Sequence, residues 1–138
     1  MDLDNEPQPD IVLIINGGQA SLTEDGYLEG TPELIVEIAA STAAIDAGSK
    51  KRAYCRNGVK EYIIWYAFEN QLEWMRLVEG EYQVLAPDPN GIVRSQVFPG
   101  LWLAVDDLLN HRMTSVLENL QVGLRSLEHQ TFMQQLAR

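Results

Sequence analysis

The segment spanning residues 30–66 predicts two β-strands joined by a helix, and it constrains the fold more than any other feature. Residues 34–38 and 61–66 are apolar runs of strand length, rich in β-branched and aromatic side chains. Residues 43–56, which lie between them, have the composition of a helix. Because a strand, a helix and a strand in this order form a βαβ unit with parallel strands, the segment predicts an α/β fold.

Glu37 stands in the middle of the first of these strands. Side chains alternate between the two faces of a strand, so Ile35 and Glu37 point to one face and Val36 to the other. Apolar side chains on both faces indicate a buried strand, which places the Glu37 carboxylate inside the protein. A buried carboxylate costs free energy unless it is paired, protonated or bound to a cation. Glu37 is therefore the first candidate functional residue.

A lysine and a second acid complete the candidate site. Lys50 lies on the predicted helix, where Asp46, Lys50 and Tyr54 share one face because they are four residues apart. Asp10 opens a further apolar strand, predicted over residues 11–16. We expect this strand to be central in the sheet, because both of its faces are apolar.

These residue types point to metal-assisted phosphate chemistry. Carboxylates of Asp10 and Glu37 on neighbouring strands can hold a hard divalent cation such as Mg²⁺. Lys50 can orient a water molecule or stabilise the charge of a phosphoryl transition state. We therefore name Asp10, Glu37 and Lys50 as candidate catalytic residues, with Asp10 and Glu37 as the metal ligands. In the alternative interpretation, Asp10 is a solvated residue at a strand entrance, and Lys50 pairs with Asp46 for roughly a few tenths of a kcal/mol.

After the second strand, the sequence predicts short antiparallel strands followed by helices. Strand-like runs separated by turn signals occupy residues 71–77, 81–85, 93–97 and 101–105. Asp106 begins a short helix, the apolar spacing after His111 predicts an amphipathic helix, and Ser126 caps a last one. We predict a core domain over residues 1–110 and a helical extension over residues 111–138.

The chain carries a formal net charge of −10, which repels nucleic acids and anionic membranes. Half of its ten basic residues nevertheless fall within residues 50–60: they are Lys50, Lys51, Arg52, Arg56 and Lys60. Such a run is most often a solvated helix face. Here it borders the candidate site, so it is also the place where a phosphate backbone can be tolerated.

Other features address location and other chemistries. No apolar run is long enough to span a bilayer, and the acidic N-terminus lacks the regions of a signal peptide. The single cysteine, Cys55, fits a reducing cytoplasm, and we interpret it as a packed side chain of the helix. His111 and His129 have no third ligand at zinc-site spacing. We predict a cytoplasmic protein without membrane contact.

The ordered motifs of the chain resemble those of the Uma family, bacterial proteins assigned as restriction endonucleases. The resemblance covers roughly residues 7–110 and rests on Pro9-Asp10, PELIVEI (residues 32–38), GVKEYIIWY (residues 58–66) and GIVRSQVFPGLWLAV (residues 91–105). It implies the PD-(D/E)XK nuclease superfamily, with a restriction-endonuclease-like mixed sheet flanked by helices. It also implies that Asp10 and Glu37 are the two acids of the motif and bind the metal.

Two departures from the family pattern concern the site and the N-terminus. The lysine expected two residues after Glu37 is replaced by Ala39, and the resemblance implies that Lys50 takes its role. Asp46 and Tyr54 also match family positions, which implies supporting roles. Because the usual N-terminal helix and hairpin are not recognisable, we interpret the chain as an N-terminally shortened member.

Three functional hypotheses follow. The leading one is Mg²⁺- or Mn²⁺-dependent hydrolysis of phosphodiester bonds in DNA, by a homodimer formed through exposed strand edges or the apolar C-terminal stripe. The second is an inactive remnant of the nuclease fold that acts as an interaction or oligomerisation module. The third is a metal-dependent hydrolase of a small phosphoester, which requires a closed pocket instead of an open groove.

Overall fold

A mixed five-stranded β-sheet organises the first of two units into which the chain divides after Val84. The computed structural model describes residues 9–15, 17–41 and 46–137. The elements of the first unit are β1 (Ile11–Leu13), β2 (Ser21–Leu22), β3 (Leu28–Glu29), β4 (Leu34–Ala39), α1 (Asp46–Arg56), β5 (Glu61–Tyr66), β6 (Gln71–Val78) and β7 (Glu81–Val84).

The sheet has the strand order β1-β4-β5-β6-β7, and β2 and β3 form a separate two-stranded sheet. Strands β4 and β5 are parallel, whereas the other neighbours in the sheet are antiparallel. The predicted α/β, restriction-endonuclease-like fold with a mixed sheet is therefore confirmed, as is the βαβ unit formed by β4, α1 and β5.

Helix α1 covers the face of the sheet that carries the odd-numbered residues of β4. Tyr54 on the helix is fully buried against Ile35, Tyr62, Ile64 and neighbouring apolar residues. The helix ends as predicted before Gly58, which has a φ of 78° and therefore adopts the left-handed conformation typical of helix ends. The predicted start of the helix lies outside the described residues.

Strand β1 departs from the prediction, because it lies at one edge of the described sheet and not at its centre. It has only three residues, and its outward side chains Ile11 and Leu13 are 49% and 38% exposed. Apolar side chains on both faces of a strand indicate a buried strand only if other elements cover both faces. Among the described residues, β1 pairs with β4 alone, so apolar composition misidentified an edge strand as a central one.

The second unit contains an antiparallel strand pair and three helices. Its elements are β8 (Ile92–Arg94), β9 (Trp102–Ala104), α2 (Val105–Leu109), α3 (Met113–Leu124) and α4 (Leu127–Leu136). The hydroxyl of Ser126 accepts a hydrogen bond from the amide of His129 at 3.2 Å, which confirms the predicted cap. The boundary that we placed at residue 110 stays a prediction.

The apolar stripe of α3 is only partly covered. Val116 is buried, whereas Met113, Leu117 and Leu124 remain exposed. Leu127 on α4 is 77% exposed. Within the part of the chain that the structure describes, no helix is long and apolar enough to cross a membrane.

Two glycine substitutions near α1 should change stability in opposite directions. Gly58→Ala should lower the free energy of unfolding by about 1 kcal/mol, because alanine is strained at this positive φ. Gly48→Ala should raise it by roughly 0.5–1 kcal/mol, because Gly48 is an exposed residue inside the helix. Urea denaturation of both variants measures the two effects, and a loss of stability of the same size in both would contradict this account of α1.

Candidate active site

The carboxylate of Glu37 is held inside the first unit by two side chains of α1. Glu37 lies on β4, beneath the helix, and is only 3% exposed. The Tyr54 hydroxyl donates a hydrogen bond to Glu37 Oε1 at 2.5 Å, and Lys50 Nζ lies 3.4 Å from Glu37 Oε2. The buried acid is thus paired, as the cost of burying a carboxylate requires. The side chain of Asp46, the alternative partner of Lys50, lies outside the described residues.

Asp10 is brought to the same place by the pairing of β1 with β4. The antiparallel register places Ile11 opposite Val36, so Asp10, the residue before Ile11, comes opposite Glu37. Side chains opposite each other in an antiparallel pair lie on the same face of the sheet. The backbone amide of Ile38 donates a hydrogen bond to Asp10 Oδ2 at 2.8 Å, which fixes the exposed Asp10 side chain at this edge.

The structure therefore brings Asp10, Glu37 and Lys50 together, although they are far apart in the sequence. The exposed acid directly precedes β1, the buried acid lies on β4, and the lysine lies on α1. The catalytic and metal-binding roles assigned to these residues stay predictions.

Burial raises the pKa of the Glu37 carboxyl above its ordinary value of 4.5. The hydrogen bond from Tyr54 and the positive charge of Lys50 lower this pKa, whereas the negative charge of Asp10 raises it further. The net effect is a raised pKa, so desolvation outweighs the two favourable partners. A cation placed between the two carboxylates would act against both the desolvation and the repulsion.

A group of three tyrosines, of which Tyr54 and Tyr62 are buried and Tyr82 is partly buried, continues from Glu37 into the core. The rings of Tyr54 and Tyr62 meet edge to face with centroids 5.1 Å apart, and those of Tyr62 and Tyr82 are 5.8 Å apart. The Tyr82 hydroxyl donates to the carbonyl of Val59 at 2.8 Å. The buried Tyr62 hydroxyl has no hydrogen-bond partner among the residues described. Burial raises the pKa of all three tyrosines, so their hydroxyls remain protonated donors.

Two further buried acids were not identified from the sequence. Glu33 is 6% exposed, and its Oε1 accepts a hydrogen bond from the Ile15 amide at 2.8 Å. Glu61 is fully buried, and its Oε1 accepts one from Trp74 Nε1 at 3.2 Å. Glu33 directly precedes β4 and Glu61 is the first residue of β5, and strand entrances of this kind are also typical of solvated residues. Their partners are distant in the sequence, so no local pattern signals their burial.

The donor set at this site fits a divalent cation through the two carboxylates. Among residues 9–15, 17–41 and 46–137, no group of three or more His, Cys, Asp and Glu side chains is arranged to hold a metal ion. Asp10 and Glu37 nevertheless provide oxygen ligands of the kind that Mg²⁺ and Mn²⁺ prefer, and Mg²⁺ usually completes its shell with water. Each carboxylate oxygen has two lone pairs, so the bonds from Tyr54 and Lys50 leave room for coordination.

The other basic residues of this segment follow Lys50 on α1, except Lys60, which lies between α1 and β5. Arg52, Arg56 and Lys60 are exposed, and Lys51 is partly exposed. Lys50 has 30% of its side chain exposed, so it connects the buried carboxylate with the surface. The first unit thus carries half of the chain's basic residues within residues 50–60, a segment that includes Lys50 of the candidate site, despite the acidic composition of the whole chain.

Comparison with known proteins identifies a family. A family model described as "Uma2: Putative restriction endonuclease" matches residues 1–106 of the 138-residue chain. The matched part contains Asp10, Glu37 and Lys50 and ends within α2, whereas α3 and α4 lie beyond it. No curated protein matches the sequence. The resemblance inferred from the sequence motifs is confirmed by the match.

Replacing Glu37 with glutamine should change how stability depends on pH. Because folding raises the pKa of Glu37, its stabilising contribution is fully present below the unfolded value of 4.5 and is lost as pH rises through the higher folded value. As pH rises from the unfolded pKa to the raised folded pKa, the free energy of unfolding of the unmodified chain should therefore fall relative to that of Glu37→Gln. Above the folded pKa, the difference between the two chains should stay constant. Urea denaturation of both chains between about pH 4 and about pH 8 measures it. A difference that is the same at every pH would refute the raised pKa.

Proposed function

The chain belongs to the Uma2 family, and from this premise we propose that it is a metal-dependent endonuclease that hydrolyses phosphodiester bonds in DNA. The observation that carries the proposal is the buried carboxylate of Glu37, which lies opposite Asp10 and 3.4 Å from Lys50. A buried acid with an acidic neighbour is costly for a purely structural purpose. It is the arrangement expected of a site that holds a cation.

Asp10 and Glu37 are the residues that would hold Mg²⁺ or Mn²⁺ in this proposal. When bound, such an ion lowers the pKa of a coordinated water and offsets the negative charge of the phosphate. The two carboxylates differ in exposure: Glu37 is buried beneath α1, whereas Asp10 is exposed and accepts a hydrogen bond from the Ile38 amide. We therefore assign the buried part of the site to Glu37 and the part nearest the substrate to Asp10.

Lys50 provides the positive charge that the chemistry needs in addition to the metal. Its ammonium group is partly exposed and lies beside the buried carboxylate, so it can contact both Glu37 and a phosphate at the surface. We propose that it stabilises the extra negative charge of the phosphoryl transition state or orients the attacking water. The position of the lysine on α1, four residues before Tyr54, keeps its stem on the face that covers the sheet.

The basic residues that follow Lys50 are the proposed contact with the DNA backbone. A net charge of −10 opposes association with DNA over long distances, but screening limits this repulsion to about 8–10 Å at moderate salt concentration. Lys51, Arg52 and Arg56 lie within that distance of one another along α1, so the local charge can favour phosphate. In this proposal, the protein binds DNA through the basic surface of α1, and the rest of its acidic surface repels DNA.

Exposed apolar side chains in the second unit favour a second candidate function. Leu117, Leu127 and Met133 are each at least half exposed on α3 and α4. Apolar side chains at helical spacing often pack against another chain. The alternative function is thus an inactive nuclease fold that serves as an interaction or oligomerisation module, and homodimer formation is proposed under either function.

Glu37→Gln should abolish metal-dependent cleavage of DNA while the chain stays folded, because the amide removes the charge that the cation requires. The matched control is Glu61→Gln, which changes a fully buried acid on the neighbouring strand whose Oε1 accepts a hydrogen bond from Trp74. Cleavage of plasmid DNA with Mg²⁺ or Mn²⁺, together with calorimetric titration of the metal, measures the effect. Equal activity in the unmodified chain and Glu37→Gln would refute the assignment. Absence of both cleavage and metal binding in the unmodified chain would favour the interaction module.

Arg52→Gln should weaken DNA binding by a similar factor for all sequences and reduce the slope of log K against log salt by about 1, because one phosphate contact is lost. Arg125→Gln is the control, since it removes the same charge from an exposed residue after α3. Fluorescence anisotropy with a labelled duplex at several salt concentrations, with Ca²⁺ in place of Mg²⁺, measures both constants. The same reduction in the two variants would show that α1 is not the contact surface.

A further inference from the structure

Of the two side chains of α1 that contact the Glu37 carboxylate, Tyr54 makes the closer contact. Tyr54 Oη lies 2.5 Å from Glu37 Oε1, which is the separation of a strong hydrogen bond to a charged oxygen. Lys50 Nζ lies 3.4 Å from Oε2, well beyond the roughly 2.7–2.9 Å of a short ammonium–carboxylate bond. The hydroxyl of Tyr54 is therefore the group that fixes the direction of the carboxylate.

Packing holds the Tyr54 ring itself in place. The ring is fully buried and meets the ring of Tyr62 edge to face with centroids 5.1 Å apart. It lies on α1, one helical turn after Lys50 and close to the end of the helix at Arg56. A hydroxyl on an immobile ring can hold a carboxylate in one orientation, which a flexible lysine side chain cannot do.

We infer that Tyr54 is a positioning residue of the candidate site, which binds Oε1 of Glu37 and thereby directs Oε2 toward Lys50 and a divalent cation. The inference rests on the proposed function, because it concerns the same carboxylate. Tyr54 does not touch the substrate or the metal. It acts through the carboxylate of Glu37, whose freedom to reorient it reduces before an ion is coordinated.

The core provides matched controls for this role. Tyr82 is partly buried in the same group of rings, and its hydroxyl donates a hydrogen bond to the Val59 carbonyl at 2.8 Å. Tyr62 is buried between the two, and its hydroxyl has no partner among the described residues. Substitution of each tyrosine by phenylalanine keeps the ring and removes one oxygen, so only the bonding of that oxygen differs.

The test compares Mn²⁺ binding and thermal unfolding of the full chain with Tyr54→Phe, Tyr62→Phe and Tyr82→Phe. Tyr54→Phe should weaken Mn²⁺ binding about 10-fold to 100-fold, which is the usual effect of losing a residue that orients a metal ligand. Tyr82→Phe should lower the melting temperature and leave the Mn²⁺ dissociation constant within about twofold. Tyr62→Phe should leave both nearly unchanged, because no hydrogen bond within the described residues is lost.

The outcomes separate this inference from the proposed function. If the unmodified chain binds Mn²⁺ and Tyr54→Phe binds it equally well, Tyr54 does not position Glu37, although the metal site stands. If Tyr82→Phe loses as much affinity as Tyr54→Phe, the effect is general destabilisation and the inference is overturned. If the unmodified chain binds no Mn²⁺, the proposed function fails and the inference fails with it.

A measurement on the unmodified chain keeps the test valid if Tyr54→Phe does not fold. With ¹³C at the ring carbon that bears the hydroxyl, saturation with Mg²⁺ should shift the Tyr54 resonance, because its partner Glu37 changes charge environment. The Tyr82 resonance, assigned with Tyr82→Phe, should not move. A Tyr54 resonance that is unaffected by saturating Mg²⁺ would overturn the inference.

Discussion

The burial of the Glu37 carboxylate in β4 is the constraint on which the arrangement of the first unit depends. A charge in this position requires donors from the element that covers it, and α1 supplies two of them, Tyr54 and Lys50. The same helix contributes an apolar surface to the core through the Tyr54 ring. One helix therefore provides both the packing of the core and the partners of Glu37, and a shift of α1 along the sheet would disturb both.

The surroundings of Glu37 combine one repulsive neighbour with two attractive ones. Asp10 comes opposite the buried acid across the β1–β4 pair, whereas Lys50 and Tyr54 approach from the helix side. Because desolvation and Asp10 together outweigh the helix partners, the carboxylate remains destabilised in its charged form. Such residual destabilisation is typical of functional sites and uncommon in parts of a fold selected for stability alone.

Periodicity made much of this predictable. The alternation of side chains along residues 34–38 placed Glu37 on the face with Ile35, and the four-residue spacing placed Lys50 and Tyr54 on one side of the helix. Both statements depend only on local geometry. The parallel βαβ connection then required the two faces to meet, and the structure confirms this with a buried group that contains Ile35 and Tyr54.

Features that depend on contacts distant in the sequence were not predictable in the same way. The edge position of β1 depends on which strands pair, and apolar composition does not report pairing. Glu33 and Glu61 are stabilised by an amide and an indole donor far along the chain, so their burial leaves no local signal. The sequence could predict that Tyr54 lies near Glu37, but not that the two form a hydrogen bond. Spacing along a helix determines the direction of a side chain and not a donor–acceptor distance.

Asp10 directly precedes β1, a three-residue strand at the edge of the described sheet, so assembly of the candidate site depends on the pairing of β1 with β4. Short edge elements with exposed apolar side chains open at low free-energy cost, far below that of global unfolding. When β1 detaches, Glu37 keeps Tyr54 and Lys50 but loses its opposing acid, so the molecule retains half of a site. Any ligand that needs both carboxylates then binds with its intrinsic affinity multiplied by the fraction of molecules in which β1 is closed. The affinity of the candidate site therefore depends on the strength of the backbone hydrogen bonds that pair β1 with β4.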